Sequence, residues 1–75
     1  MPVVVINIDM GVIDQKILVL HDQGQDEYMV PMFEIISKVK ELGVKNVQIA
    51  GNLDFIEPIV DELVEAGFIV KVIRR

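Results

Sequence analysis

The stretch Val3-Val4-Val5-Ile6-Asn7-Ile8-Asp9 decides the fold. It is β-branched at most positions and apolar in both alternating sets, which is the pattern of a strand buried on both faces in the middle of a sheet. Met10-Gly11 closes it. A sheet that is apolar on both sides needs a covering layer on each side. The remainder of the chain supplies helices enough for only one.

Working outward, Lys16 to Asp22 reads as a second strand, and Gln23-Gly24-Gln25 supplies turn residues for a hairpin. Asp26 to Val30 reads as a short third strand, stopped by Pro31, which favours extended backbone at Val30. From Met32 the period changes. Phe33, Ile35, Ile36, Val39, Lys40 and Leu42 form a helical stripe, Glu34, Ser37, Lys38 and Glu41 face outward, and Gly43 ends the helix. Core packing accounts for Met32 and Phe33. Asn46 to Ala50 is strand-like, and Gly51-Asn52 leads into a second helix. Asp54 and Glu57 match a variant of the capping box there, with Pro58 tolerated in or just after the first turn. Ile59, Val60, Leu63, Val64 and Ala66 give that helix its apolar face, Gly67 stops it, and Phe68 to Ile73 forms the last strand before a solvated Arg74-Arg75.

No linker, repeat or low-complexity segment divides residues 1–75, so the reading is a single α/β domain of order βββαβαβ. Right-handed crossovers stepping in one direction put both helices on the same face of the sheet. The other face then carries a selection from Val3, Val5, Asn7, Ile17, Val19, Gln48, Ala50, Ile69 and Ile73, depending on register. Such a patch exceeds what soluble monomers usually expose, which predicts a homodimer joined sheet to sheet, or another partner in that place.

Composition narrows the rest. A 75-residue chain buries only about 60% of its unfolded surface, so help from a second subunit matters. The 52% hydrophobic content and mean hydropathy of +0.47 exclude a disordered tail. Asp9, Asp14, Lys16 and Asp22 interrupt the N-terminal third, so no apolar run approaches the roughly 18 residues of a membrane span. Met1-Pro2 runs directly into strand residues without a basic leader, and the expected compartment is the cytoplasm. The absence of cysteine removes disulfides, zinc-thiolate centres and thiol catalysis. A net charge of −5 argues against sequence-independent nucleic-acid binding. Lys38, Lys40, Lys45, Lys71, Arg74 and Arg75 could form a local basic edge, but they lack interleaved aromatics and read as solvated surface. There is no threonine and one serine, Ser37, amid abundant Val, Ile, Glu and Lys. That usage fits a thermostable protein, from a thermophile or from computational choice of sequence.

The element order resembles the ribonuclease H-like motif, which implies a mixed five-stranded sheet of order 3-2-1-4-5 with two helices on one face. Three branches are similar in parts. Ile8-Asp9-Met10-Gly11-Val12-Ile13-Asp14-Gln15-Lys16 looks like the phosphate-facing first hairpin of the sugar kinase, actin and chaperone ATPase superfamily, with Asp9, Gly11 and Lys16 at matching places. That family has Gly, Thr or Ser where Val12-Ile13 stand and uses a second domain. Asp9 also matches the first metal carboxylate of the nuclease and transposase branch, and Gly51 to Val72 looks like the corresponding helix and strand of insertion-sequence transposases. The fourth strand of this chain ends in Ala50-Gly51-Asn52, without the second acid. The later half, Glu41-Leu42-Gly43-Val44 through Ile49-Ala50-Gly51 and Glu65 to Val70, resembles the small dinitrogenase iron–molybdenum cofactor-binding domains, whose size it also matches.

The residues themselves offer one candidate site. Asp9 ends a central strand at the edge where open α/β sheets bind ligands, and the Gly51-Asn52 entrance to a helix favours anions. Asp9, Gly11, Lys16, Gly51 and Asn52 therefore form a candidate ligand site, with Asp9 as the metal-holding carboxylate if a divalent cation is bound. Asp9, Asp14, Asp22 and Asp26 could converge at one sheet end, or serve as charged punctuation of strand ends. His21, the one histidine, is a general base, a single metal ligand or a half-exposed strand-end residue. The favoured expectation is a non-enzymatic structural or binding domain that self-associates through its helix-free face. The alternative is a metal- or phosphate-ligand-binding domain with its site near Asp9 and Gly51.

Overall fold

A computed structural model describes residues 1–73. The elements are β1 (Val3–Asn7), β2 (Asp14–His21), β3 (Gly24–Pro31), a 3-10 turn (Met32–Glu34), α1 (Ile35–Leu42), β4 (Asn46–Ala50), α2 (Leu53–Glu65) and β5 (Ile69–Ile73). They form one mixed sheet of order β3-β2-β1-β4-β5. β1 pairs antiparallel with β2 and parallel with β4, so the strand read as central is central.

Boundaries shift from the expected ones for identifiable reasons. β2 and β3 zip along their whole 8-residue lengths, from Asp14 opposite Pro31 to His21 opposite Gly24. Ladder bonding to β2 thus carries the low-propensity run Gln25-Asp26-Glu27 into strand, and the third strand is not short. β1 ends at Asn7, although the Ile8 N–H still donates to the Ala50 carbonyl at 2.9 Å. Met32 and Phe33 belong to the 3-10 turn rather than to α1, and Phe33 points away from the core, 84% exposed. Lys40 is exposed too.

Alternation sorts the strands into two faces. Val4, Ile6, Ile17, Val19, Val47 and Ile49 are buried together with Ile35 and Val39 of α1 and Ile56, Ile59 and Leu63 of α2 in one cluster. Tyr28, Val30, Val70 and Val72 pack at its edges. Both helices therefore cover the same side. The ladder Val3↔Leu20, Val5↔Leu18, Asn7↔Lys16 corrects the expected open face: Ile17 and Val19 lie in the core, and Leu18 and Leu20 take their places outside. A one-residue difference in register is enough, because side chains change face at every step.

Candidate functional site

The C-terminal ends of β1 and β4 lie side by side, where the sheet changes from antiparallel to parallel neighbours. Beyond them opens a groove of about 900 Å³ lined by Asn7, Ile8, Asp9, Met10 and Val12, by Asp14, Gln15 and Lys16, by Met29, and by Gly51, Asn52 and Phe55. Apolar walls with a few convergent polar groups, at the carboxyl ends of parallel strands, are the usual build of a small-ligand site.

Gln15 shapes the groove floor. The residue is only 2% exposed, and its side chain accepts from the Asp9 N–H at 2.7 Å and donates to the Asp9 carbonyl at 2.9 Å. A second contact from its Nε2 reaches the Val12 carbonyl at 3.3 Å. The amide thus extends the β2 ladder by one step with side-chain atoms, where the backbone of residues 8–13 leaves the sheet. Asp9 Oδ1 then accepts the Gly11 N–H at 2.8 Å, an Asx turn that aims the carboxylate back along its own loop. A Cβ on Gly11 would stand 3.2 Å from that oxygen, so the turn suits glycine.

On the opposite wall, Gly51 sits at φ +151°, and a Cβ there would come within 3.1 Å of Ile8 Cβ, the Ile8 carbonyl oxygen and Ile56 Cγ2. Glycine is what lets β4 turn into α2 against β1. Asn52 caps α2, its Oδ1 accepting from the Asp54 N–H at 2.9 Å. The expected cap, Asp54, is the acid in the first turn instead.

Of the candidate residues, Asp9, Lys16, Gly51 and Asn52 line one groove, and Gly11 stands beside it through its bond to Asp9. Lys16 Nζ is 3.2 Å from Glu27 Oε1. The four aspartates do not converge. Asp14 joins Asp9 at the groove, while Asp22 and Asp26 lie toward the far end of β2, roughly 20 Å away at ~3.3 Å per residue. No group of three or more His, Cys, Asp or Glu side chains placed to hold a metal ion occurs among the described residues. His21 Nε2 lies 3.3 Å from Asp26 Oδ2, across the hairpin and away from the groove.

The lysines do not make one patch. Lys38 Nζ stands 4.4 Å from the Tyr28 ring centroid, Lys45 Nζ stands 5.1 Å from that of Phe68, and Lys71 is on the helix-free face. Arg74 and Arg75 lie outside the described residues. No helix among the described residues is long and apolar enough to cross a membrane.

The helix-free face is the second surface of note. Val3, Val5, Leu18, Leu20, Met29, Ile69 and Ile73 share it with Asn7, Lys16, Glu27, Asn46, Gln48 and Lys71. Leu20 is 40%, Met29 54%, Ile69 67% and Ile73 36% exposed, high values for large apolar side chains in strands. Gln15, Leu18 and Leu20 are the residues that sequence patterning missed, and knowledge of the β2 register alone would have found them. Comparison of the sequence with protein-family models and with curated proteins finds no match.

Proposed function

We propose that this chain is a non-enzymatic binding module whose helix-free sheet face joins a second copy of itself. The observation that carries the reading is the one-sided core. Both helices pack on Val4, Ile6, Ile17, Val19, Val47 and Ile49, while on the outer face of the same strands Leu20 and Ile69 are exposed and Val3, Val5 and Leu18 only half-buried. Apolar area is worth about 25 cal/mol per Å² when removed from water, and a small domain has little stability to spare. The kinship to the ribonuclease H-like motif belongs to the same proposal and is supported by the strand order β3-β2-β1-β4-β5. Sedimentation equilibrium from low micromolar to millimolar concentration tests the reading. The expected result is a monomer–dimer equilibrium, and a single chain throughout would overturn it.

The convergence of Asp9, Asp14, Lys16 and Asn52 on one groove favours a second reading, a site for a divalent cation alone or carrying a phosphate. Two carboxylates against one ammonium make the groove a better place for a cation than for a bare anion. Magnesium is commonly held by one or two carboxylates, with waters and substrate phosphates completing its shell. Thermal melting with magnesium, manganese and nucleotide is the test, because a ligand that binds only the folded chain raises its melting temperature. No shift with any of them rules this reading out.

A further inference from the structure

The charges on the helix-free face define how two copies would meet. The registers Leu18↔Glu27, Val5↔Leu18, Val5↔Gln48 and Gln48↔Lys71 place Glu27, Leu18, Val5, Gln48 and Lys71 in one row across the sheet. Val5 is at its centre, on the middle strand. Glu27 and Lys71 are at its ends, each two strands out and so about 10 Å from β1.

Identical sheets that pack with their strands aligned about a two-fold axis between them leave two directions for that axis, across the strands or along them, since an oblique axis would set the strands crosswise. With the axis across the strands, the row falls on itself, so that Glu27 opposes Glu27 and Lys71 opposes Lys71. With the axis along the strands, the row is reversed. Glu27 then opposes Lys71, and the symmetry makes that contact twice. In the neighbouring row of Met29, Lys16, Asn7, Ala50 and Ile73, the same reversal sets Met29 on Ile73 and Lys16 over the small Ala50. The across-strand arrangement sets Leu20 on Lys16, with Leu18 on Leu18 and Ile69 on Ile73, whereas the along-strand arrangement sets Leu18 on Gln48, so the apolar contacts divide between the two and the charges at the row ends decide.

We propose that two copies join about an axis parallel to β1 that passes over Val5, with Glu27 of each copy facing Lys71 of the other. This rests on the self-association reading and adds its geometry. Aligned sheets rotate by about 30° on packing, which moves the row ends by about 5 Å, within reach of a lysine and a glutamate. Glu27 already pairs with its own Lys16 at 3.2 Å, so its carboxylate would sit between two ammonium groups.

Charge exchange tests the axis. Glu27→Lys and Lys71→Glu should each weaken self-association roughly tenfold, measured by sedimentation. The double exchange should restore it, and a mixture of the two single variants should pair more tightly than either alone. Because the chain has no cysteine, a second measurement is independent of charge. A short thiol-reactive cross-linker should join Glu27→Cys to Lys71→Cys in a mixture and leave each variant alone unlinked. If the native chain pairs but the single exchanges are silent and Glu27→Cys links to itself, the axis is wrong while self-association stands. If the native chain never pairs, both fail. If Glu27→Lys does not fold, judged by circular dichroism, the cross-linking pattern decides.

Discussion

Gln15 governs how the groove is built. Its side chain satisfies both backbone groups of Asp9, and no buried side-chain nitrogen or oxygen is left unpartnered among the described residues. Replacing it by leucine keeps most of its volume, strands the Asp9 N–H and leaves the Asp9 carbonyl only the long contact from the Val12 N–H at 3.4 Å, so Gln15→Leu should cost about 1–3 kcal/mol in denaturant unfolding. Gln15→Glu restores the acceptor but sets a carboxylate against the Asp9 carbonyl, so it should recover only part of the loss. A silent Gln15→Leu would mean that the loop of residues 8–13 holds its shape by itself. The residue was illegible in the sequence because Asp14, Gln15 and Lys16 are all polar and look like the tail of a loop. That Gln15 shares a face with Ile17 and Val19 becomes visible only once β2 is known to start at Asp14. Asp9 and Gly51 were legible for the opposite reason: Asp9 follows a run apolar on both faces, and Gly51 follows the alternating Asn46 to Ala50 just before a helical period begins.

At the scale of elements, the entry to α2 separates two plausible caps. Asp54 with Glu57 has the spacing of a capping box, yet the side chain that accepts a backbone N–H is Asn52. Gly51 turns so closely against Ile8 that the helix starts immediately after it, with Leu53 as its first residue. Asn52→Ala should therefore cost about 1 kcal/mol of folding stability, while Asn52→Asp should hold or gain, adding a negative charge at the helix N-terminus. Asp54→Ala should cost only a few tenths of that, through the dipole alone. A larger loss at Asp54 than at Asn52 would reverse the assignment. Helix periods and the doubly apolar β1 made the order of elements along the chain readable from sequence, whereas the order of strands across the sheet was implied by the resemblance to the ribonuclease H-like motif. β3 was underestimated because its polar run gains its strand character from pairing with β2, which propensity does not register. On an edge, Asp26, Glu27 and Pro31 also discourage further strands from adding.

For the molecule as a whole, folding and association are separable because they use opposite faces of one sheet, and Leu18 is the place to separate them. It is half-buried, flanked by Val5 and Glu27, and has no part in the cluster beneath the helices. A lysine there leaves Ile17 and Val19 in the core and gains a cross-strand partner in Glu27, so the stability of the isolated chain should change by less than about 1 kcal/mol. In a face-to-face pair the same lysine would be buried near the axis at Val5, at a desolvation cost of several kcal/mol. Leu18→Lys should consequently sediment as a single chain at every concentration. The melting temperature of the native chain should rise with protein concentration, because a second copy that binds only the folded state stabilises it by mass action, whereas that of Leu18→Lys should stay constant. Should the variant still pair, and still melt in a concentration-dependent way, the contact between copies lies elsewhere, and the apolar band of the open face would have to be explained without it.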